Sequence, residues 1–174
     1  MSSADIDFRK DFQPPLFLKE MTFGTVILNA GITNSYWKTT TGKSDWETMM
    51  VVNAFNQIRF LYELLPNIVG KIAIISSNSG SIYHIQNVRS ADFNDLGYKF
   101  SKHVLNMAGV WFSKKVSVPV IILHPGSILT YSPPIDGKSY HSGAVNVAKM
   151  IDIIENLTMK DTGKFINYDN KLMH

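Results

Sequence analysis

The most informative segment of this chain is Tyr98-Lys99-Phe100-Ser101-Lys102. Apolar residues at helical spacing predict a helix over about residues 97–115. On that helix Tyr98 and Lys102 are four residues apart and therefore share one face. A lysine ammonium close to a phenol favours the phenolate, and so lowers the pKa of the phenol from its ordinary value of about 10. The pair indicates chemistry that moves a proton near neutral pH.

The composition excludes several classes of function. At 174 residues, of which 45% are hydrophobic, the chain is long enough for a single domain, residues 1–174, with an apolar core. Its 17 lysines and arginines are scattered, whereas a nucleic-acid surface needs clustered basic residues, so we expect no nucleic-acid partner. The absence of cysteine excludes disulfides and a cysteine nucleophile. The five histidines lack metal-ligand spacing, so we expect no metal site.

The sequence carries no pattern typical of export or membrane insertion. Residues 1–10 include several charges and no apolar segment, unlike a signal peptide. No apolar run approaches the roughly 20 residues that a membrane-spanning helix needs. We therefore predict an intracellular, cytoplasmic protein with no membrane partner.

Short apolar runs alternate with helical patterns along the chain. The runs predict strands at residues 25–28, 72–75, 116–123 and 165–168. The helical patterns cover residues 44–65 and 97–115 and begin again at 142, while 82–96 are expected to be irregular. This alternation is typical of a mostly parallel sheet with helices on both faces. Ligands bind at the carboxyl ends of such strands, where Asn29, Ser76-Ser77 and Pro125-Gly126 fall.

Five segments from about Ala4 to His174 resemble, in order, elements of the short-chain dehydrogenase/reductase family, particularly its small carbonyl reductases. The resemblance covers the family's Asn-Ala-Gly turn, its serine loop, its Tyr-x-x-x-Lys signature, its Pro-Gly-x-Val-x-Thr segment and its closing strand. The matching segments are Asn29 to Gly31, Ser76 to Ile82, Tyr98 to Lys102, Pro125 to Thr130 and Gly163 to Tyr168. The resemblance implies a Rossmann-like α/β fold.

The resemblance also implies catalytic roles. Tyr98 would be the general acid/base that exchanges a proton with the substrate, and Lys102 would lower the pKa of Tyr98 and bind the nicotinamide ribose. Ser77 would polarise the substrate carbonyl. Asn53, a polar residue on an otherwise apolar helix stripe, would hold a water of the proton relay.

The resemblance also implies which residues an NAD(P) cofactor would contact. Ile128 and Thr130 would face the nicotinamide carboxamide, and either Asp5 or Asp7 would match the family's acidic residue beside the adenine. The complete cofactor-binding set implied is Asn29, Ala30, Gly31, Lys102, Pro125, Gly126, Ile128 and Thr130.

The chain departs from the family at the phosphate-binding loop. In the family the Asn-Ala-Gly turn follows three strands, whereas here only 28 residues precede it, so the first two strands are missing. The closest glycines in the chain are Gly137 and Gly143, so no segment can be Gly-x-x-x-Gly-x-Gly. That loop holds the pyrophosphate at a helix N-terminus. We therefore expect NAD(P) binding to be weak or absent.

The missing strands would leave the edge of the strand at 25–28 without a partner. An unpaired apolar edge favours aggregation, so something is expected to cover it. The candidates are the chain's own N-terminal segment, with residues 4–8 as a remnant of the family's third strand, a second copy, or another protein. We accordingly expect a homo-oligomer or a subunit of a larger assembly.

Two functional interpretations remain open. The first, which we favour for the isolated chain, is a non-catalytic descendant (a pseudoenzyme) with a structural or protein-interaction role, because the phosphate loop is lost. The alternative is an NAD(P)-dependent carbonyl reductase or alcohol dehydrogenase, because Tyr98, Lys102, Ser77 and Asn53 are all retained. The chain could also be a fragment of a longer product, although it begins at Met1.

Overall fold

Strands and helices alternate along the chain in the computed structural model, which describes residues 6–10, 14–33, 43–87, 96–126, 128 and 143–173. The strands are β1 (Phe23–Leu28), β2 (Ile68–Ile75), β3 (Val120–His124) and β4 (Phe165–Asn167). The helices are α1 (Leu16–Lys19), α2 (Lys43–Met50), α3 (Asn56–Leu64), α4 (Ile82–Asn87), α5 (Leu96–Ser113) and α6 (Gly143–Glu155). A π-helical segment, Val51–Phe55, joins α2 to α3.

The strands form one sheet in the order β1-β2-β3-β4, and every neighbouring pair is parallel. The fold class predicted from the alternating pattern is therefore confirmed. Helices cover both faces of the sheet. One core cluster contains Val26, Leu61, Ile74, Leu105 and Phe112, and the other contains Ala73, Ile121, Leu123, Met150 and Ile154.

The connection from β3 to β4 has the opposite handedness to the connections β1–β2 and β2–β3. Helices α3 and α5, which lead to β2 and β3, both pack in the first cluster, whereas α6, which leads to β4, packs in the second. Each successive strand is added on the same side of the one before it, from β1 at one edge of the sheet to β4 at the other. Because about 98% of parallel crossovers are right-handed, the connection from β3 to β4 is the left-handed one.

Three predicted boundaries need correction. Residues 82–87 form the short helix α4, not irregular structure. Strand β2 begins at Ile68, four residues earlier than its apolar run suggested, since it pairs with Phe23 there. Strand β3 begins at Val120 and not at residue 116, because Pro119 immediately before it has no N–H to donate.

Strand β1 has a strand partner on one side only among the described residues. The expected remnant strand at residues 4–8 is not formed over Ile6–Phe8, which enter a turn. The carbonyl of Phe8 accepts a hydrogen bond of 2.8 Å from the Asn56 side chain, and the Phe8 ring packs edge-on against Phe60. The N-terminal segment is therefore held against α3 instead of pairing with β1.

The described helices include none with both the length and the apolar character required to cross a membrane.

Candidate active site

The carboxyl ends of β1, β2 and β3 meet at one edge of the sheet because the strands are parallel. The Asn29-Ala30-Gly31 turn follows β1, Ser76-Ser77 follow β2, and Pro125-Gly126 follow β3. Helix α5 begins near this edge and carries Tyr98 and Lys102 in its first two turns. The elements that the sequence singled out thus belong to one end of the fold.

Lys102 is a buried lysine, with 5% of its surface exposed. Its Nζ donates to the carbonyl of Ile75 at 3.2 Å and lies 5.8 Å from the centre of the Tyr98 ring. Burial lowers the pKa of Lys102 from 10.5 to about 8. At neutral pH the side chain is still mostly protonated, so it places a positive charge beside the Tyr98 ring.

Asn53 joins the turn after β1 to helix α5. It is fully buried within the π-helical segment, a distortion that is frequent at functional sites. Its Oδ1 accepts from the Ile32 N–H at 2.7 Å, and its Nδ2 donates to the Ile32 carbonyl at 2.9 Å and to Ser101 Oγ at 3.0 Å. The Ser101 hydroxyl in turn donates to the Tyr98 carbonyl at 2.7 Å.

We expect Asn53→Ala to destabilise the protein by about 2 kcal/mol, because it leaves the partly buried Ile32 N–H and carbonyl without the Asn53 side chain as a partner. The free energy of unfolding from urea denaturation measures this change. Asn156→Ala is a matched control, since that exposed asparagine, just after α6, donates to the Asp152 carbonyl in the last turn of the helix. Equal stability losses in the two variants would show that Asn53 does not hold the turn.

The serine loop packs directly on helix α5. Ser77, 7% exposed, accepts from the Ser79 N–H at 3.1 Å, and Ser76 Oγ donates to the Lys102 carbonyl at 3.4 Å. A Cβ added at Gly80 would lie 2.5 Å from the backbone carbon of Lys102, so only glycine allows this approach. The loop is fixed to the helix turn that carries Lys102.

Gly31 locates the turn after β1 relative to the other candidates. A Cβ built on it would lie 3.6 Å from Lys102 Nζ and 3.7 Å from Asn53 Oδ1. The structure therefore brings together three separately predicted elements: the Asn-Ala-Gly turn, Asn53 and Lys102. Tyr98 lies beside these residues, because the centre of its ring is 5.8 Å from Lys102 Nζ.

Comparison with known proteins identifies the fold. No family model matches the chain, and no curated protein matches it in sequence. Among solved structures, the NADPH-bound carbonyl reductase from chicken fatty liver is 26% identical with a TM-score of 0.75, over 91% of this chain and 68% of that one. The carbonyl reductase Sniffer of D. melanogaster is 21% identical with a TM-score of 0.78, over 97% and 75%. A short-chain dehydrogenase/reductase from Burkholderia multivorans with bound NADP is 22% identical with a TM-score of 0.72, over 91% and 69%.

The chain has the short-chain dehydrogenase/reductase fold. Coverage of 68% leaves about a third of the chicken reductase without a counterpart here. The resemblance drawn from the five sequence segments is thus confirmed at the level of the fold.

The segment after β3 contacts α6 and Tyr168, the residue that follows β4. Gly126 has a φ of 77°, a left-handed conformation that favours glycine. Asn146 Nδ2 donates to the Pro125 carbonyl at 2.9 Å, and a Cβ at Gly126 would lie 2.6 Å from the Tyr168 ring. Ile128 is partly buried, whereas Thr130 lies outside the described residues. The left-handed crossover thus positions the implied nicotinamide-facing segment through α6.

Two further residues lie against the turn after β1. Gln57, fully buried, donates through Nε2 to the carbonyls of Ala30 and Asn53, each at 2.8 Å. Its position four residues after Asn53 was the available sequence signal, since the two share a helix face. Asp7 lines a cavity of about 340 Å³ with Ala30 and Gly31, and Arg9 holds the pKa of its carboxyl at about 2 through a side-chain hydrogen bond. Asp5 lies outside the described residues.

The described residues fit one end of a dinucleotide and not the other. Lys102 and the Asn29-Ala30-Gly31 turn, which the resemblance assigns to the nicotinamide end, lie together at the sheet edge. No glycine-rich loop exists in the sequence to approach a pyrophosphate. Within the described ranges, no group of three or more His, Asp or Glu side chains is arranged to hold a metal ion.

Proposed function

We propose that this chain carries the acid/base and substrate half of an NAD(P)-dependent carbonyl reductase, with Tyr98 as the proton donor. One observation carries the proposal. The Gly31 turn, Asn53 and Lys102 converge within 4 Å of a single point, with Tyr98 on the same helix face as Lys102. The chicken reductase with the same fold is an NADPH-bound protein, which supports the choice of cofactor.

In this proposal the chain's own residues bind the carbonyl and supply the proton. The Ser77 hydroxyl donates to the carbonyl oxygen and polarises it. The Tyr98 hydroxyl then gives its proton to that oxygen, which becomes the alcohol as the carbonyl carbon is reduced. The Lys102 ammonium stabilises the phenolate that remains. Bound NAD(P)H would supply the hydride to the carbonyl carbon.

Asn53 acts here through the residues that it positions. Its amide oxygen and nitrogen are already engaged by Ile32 and Ser101. It therefore fixes the distance between the turn after β1 and the helix turn that carries Tyr98. We propose this positioning role in addition to the water-holding role that the resemblance implies.

The experiment that tests the proposal is calorimetric titration of the purified chain with NADPH and with NADH, followed by an assay of NADPH consumption with aromatic ketones and quinones. Micromolar binding with carbonyl-dependent consumption would support the proposal, and would mean that another segment replaces the phosphate loop. Absence of binding at millimolar cofactor would overturn it for the chain acting alone.

A second candidate function is a non-catalytic, protein-interaction role in the cytoplasm. The open side of β1 favours it, since half of the Ile27 surface is exposed on an apolar strand. The two candidates differ in their dependence on Tyr98, because only the reductase needs its hydroxyl.

A further inference from the structure

A cavity of about 590 Å³ lies against a different face of α5 from the one that carries the acid/base pair. Four side chains at three- and four-residue spacing on this face line it: His103, Asn106, Met107 and Val110. At 3.6 residues per turn, the face is turned by roughly 100° from the one that Tyr98 and Lys102 share. The described residues that line the cavity include neither Tyr98 nor Ser77, so it is separate from the candidate active site.

The other walls of the cavity come from the serine loop, from α4 and from the segment around β4. Gly80 and Tyr83 lie on one side, and Phe165 and Met173 lie on the other. The Met173 N–H donates to the Phe165 carbonyl at 2.7 Å, which fixes this last wall. Thioether sulfurs, here those of Met107 and Met173, make favourable contacts with aromatic rings. The volume lies within the range of about 300–1,000 Å³ of small-molecule sites, so these walls favour an aromatic ligand.

The polar groups of the cavity are acceptors on α5. His103 Nδ1 lies 2.9 Å from the Gly80 carbonyl oxygen, which can only accept, so Nδ1 carries the proton. In the neutral ring Nε2 then keeps a lone pair that accepts a hydrogen bond. One helical turn further, Asn106 Oδ1 is buried without a hydrogen-bond partner among the described residues. Because such an acceptor is unfavourable, the inner wall is incompletely satisfied without a ligand.

The charges around the cavity balance. Lys164 is the one Lys, Arg, Asp or Glu among the described residues that line it, and its Nζ lies 2.8 Å from Asp161 Oδ1. A carboxylate ligand would therefore meet acceptors and no uncompensated cation. An ammonium ligand would meet no carboxylate in the lining. The ligand that fits is uncharged and carries a hydrogen-bond donor.

The cavity also touches two parts of the candidate active site that pack on each other. The Gly80 N–H donates to the Ser77 carbonyl at 3.0 Å within the serine loop. The Gly80 carbonyl is bonded to the ring of His103, which directly follows Lys102 on α5. A molecule that contacts both Gly80 and His103 would therefore bridge the loop and the helix.

We propose that this cavity binds an uncharged two-ring aromatic molecule whose phenolic hydroxyl donates to His103 Nε2. Its rings lie between the methionines and the aromatic side chains of the walls. The bound molecule restrains the serine loop against α5, because it contacts Gly80 on one side and His103 on the other. The site is distinct from the one where Tyr98 acts.

The test is calorimetric titration of the full chain with 2-naphthol and with its methyl ether, 2-methoxynaphthalene, which has the same rings and no hydroxyl. We expect 2-naphthol to bind with a dissociation constant on the order of 10–100 µM, and the ether to bind about tenfold more weakly. His103→Phe keeps a ring at this position and removes Nε2. It should therefore abolish the preference for naphthol over the ether.

A second pair of variants tests the location. Val110→Trp should weaken both probes about tenfold or more, because the indole fills the space that the rings need. Val147→Trp, at a valine of α6 with the same exposed fraction (43%), is the control and should bind both probes unchanged. Hydrogen exchange of the Ser79 and Gly80 amides, which donate to Ser77, should slow when 2-naphthol is bound.

Each other outcome overturns the proposal. Equal affinity for the two probes, or a preference that survives His103→Phe, would mean that Nε2 accepts no bond. Binding that Tyr98→Phe abolishes and Val110→Trp leaves unchanged would place naphthol in the acid/base site. Unchanged exchange at Ser79 and Gly80 would rule out a restraint on the loop. A dimer by light scattering that Val110→Trp converts to monomers would mean that a second copy fills the cavity. None of these readouts needs turnover or NADPH, so failure of the reductase proposal would leave this inference standing.

Discussion

Tyr98→Phe is expected to lower the rate of carbonyl reduction by about 10²–10⁴-fold, because it removes the only group placed to give a proton to the substrate oxygen in the proposed mechanism. The substitution deletes one hydroxyl and keeps the ring that lies 5.8 Å from Lys102 Nζ. The fold should therefore be retained. The measurement is kcat/KM for NADPH-dependent reduction, together with the melting temperature.

Tyr62→Phe is the matched control for this variant. Tyr62 lies on α3 with 61% of its surface exposed, so loss of its hydroxyl should leave the rate unchanged. If both variants reduce carbonyls at the wild-type rate, Tyr98 is not the acid/base. If the wild type and both variants show no turnover, the reductase proposal fails for the chain acting alone.

Much of this site could be predicted from the sequence because it depends on local spacing. Tyr98 and Lys102 are four residues apart on one helix, so they share a helix face regardless of how the other elements pack. The apolar runs at 25–28 and 72–75 similarly fix two strands, whose carboxyl ends carry the Asn29-Ala30-Gly31 turn and the serine loop. These predictions concern which residues lie at the same end of the sheet.

The partners of Asn53 could not be predicted because they come from distant elements. Ile32 and Ser101 lie 21 and 48 residues away in sequence. The π-helical segment, Val51–Phe55, leaves no trace in the apolar pattern, since one widened turn shifts the helix face without changing the residue types. The predicted remnant strand at Ile6–Phe8 failed for a similar reason. The Asn56 amide, 48 residues away, takes the Phe8 carbonyl that strand pairing would need.

Lys102→Met is expected to raise the free energy of unfolding at pH 7 by about 1–3 kcal/mol. Burial lowers the pKa of Lys102 from 10.5 to about 8. At about 1.4 kcal/mol for each pKa unit, this shift corresponds to about 3 kcal/mol of destabilisation in the charged state. Removing the charge should therefore stabilise the protein, and loss of the hydrogen bond to the Ile75 carbonyl would offset about 1 kcal/mol of this stabilisation.

The pH dependence gives the sharper measurement. Below pH 8 both the folded and the unfolded chain carry the charge, so the burial cost is present in full. Between pH 8 and 10.5 the folded chain releases the proton while the unfolded chain keeps it, so the stability contributed at Lys102 rises with pH. The advantage of Lys102→Met, measured by urea unfolding, should therefore shrink by about 3 kcal/mol across this window. Lys114→Met, at an exposed lysine of the same helix region, should show no such change.

The stability and the activity of Lys102→Met, measured together, distinguish the two functional interpretations. A variant that is more stable yet inactive would mean that the fold tolerates a buried charge for the sake of the Tyr98 chemistry, a trade-off expected of active sites. A variant that is less stable at every pH would instead mean that Lys102 holds the end of β2 to α5 through the Ile75 carbonyl. In that case the lysine would be a structural residue, and its retention beside Tyr98 would no longer argue for catalysis.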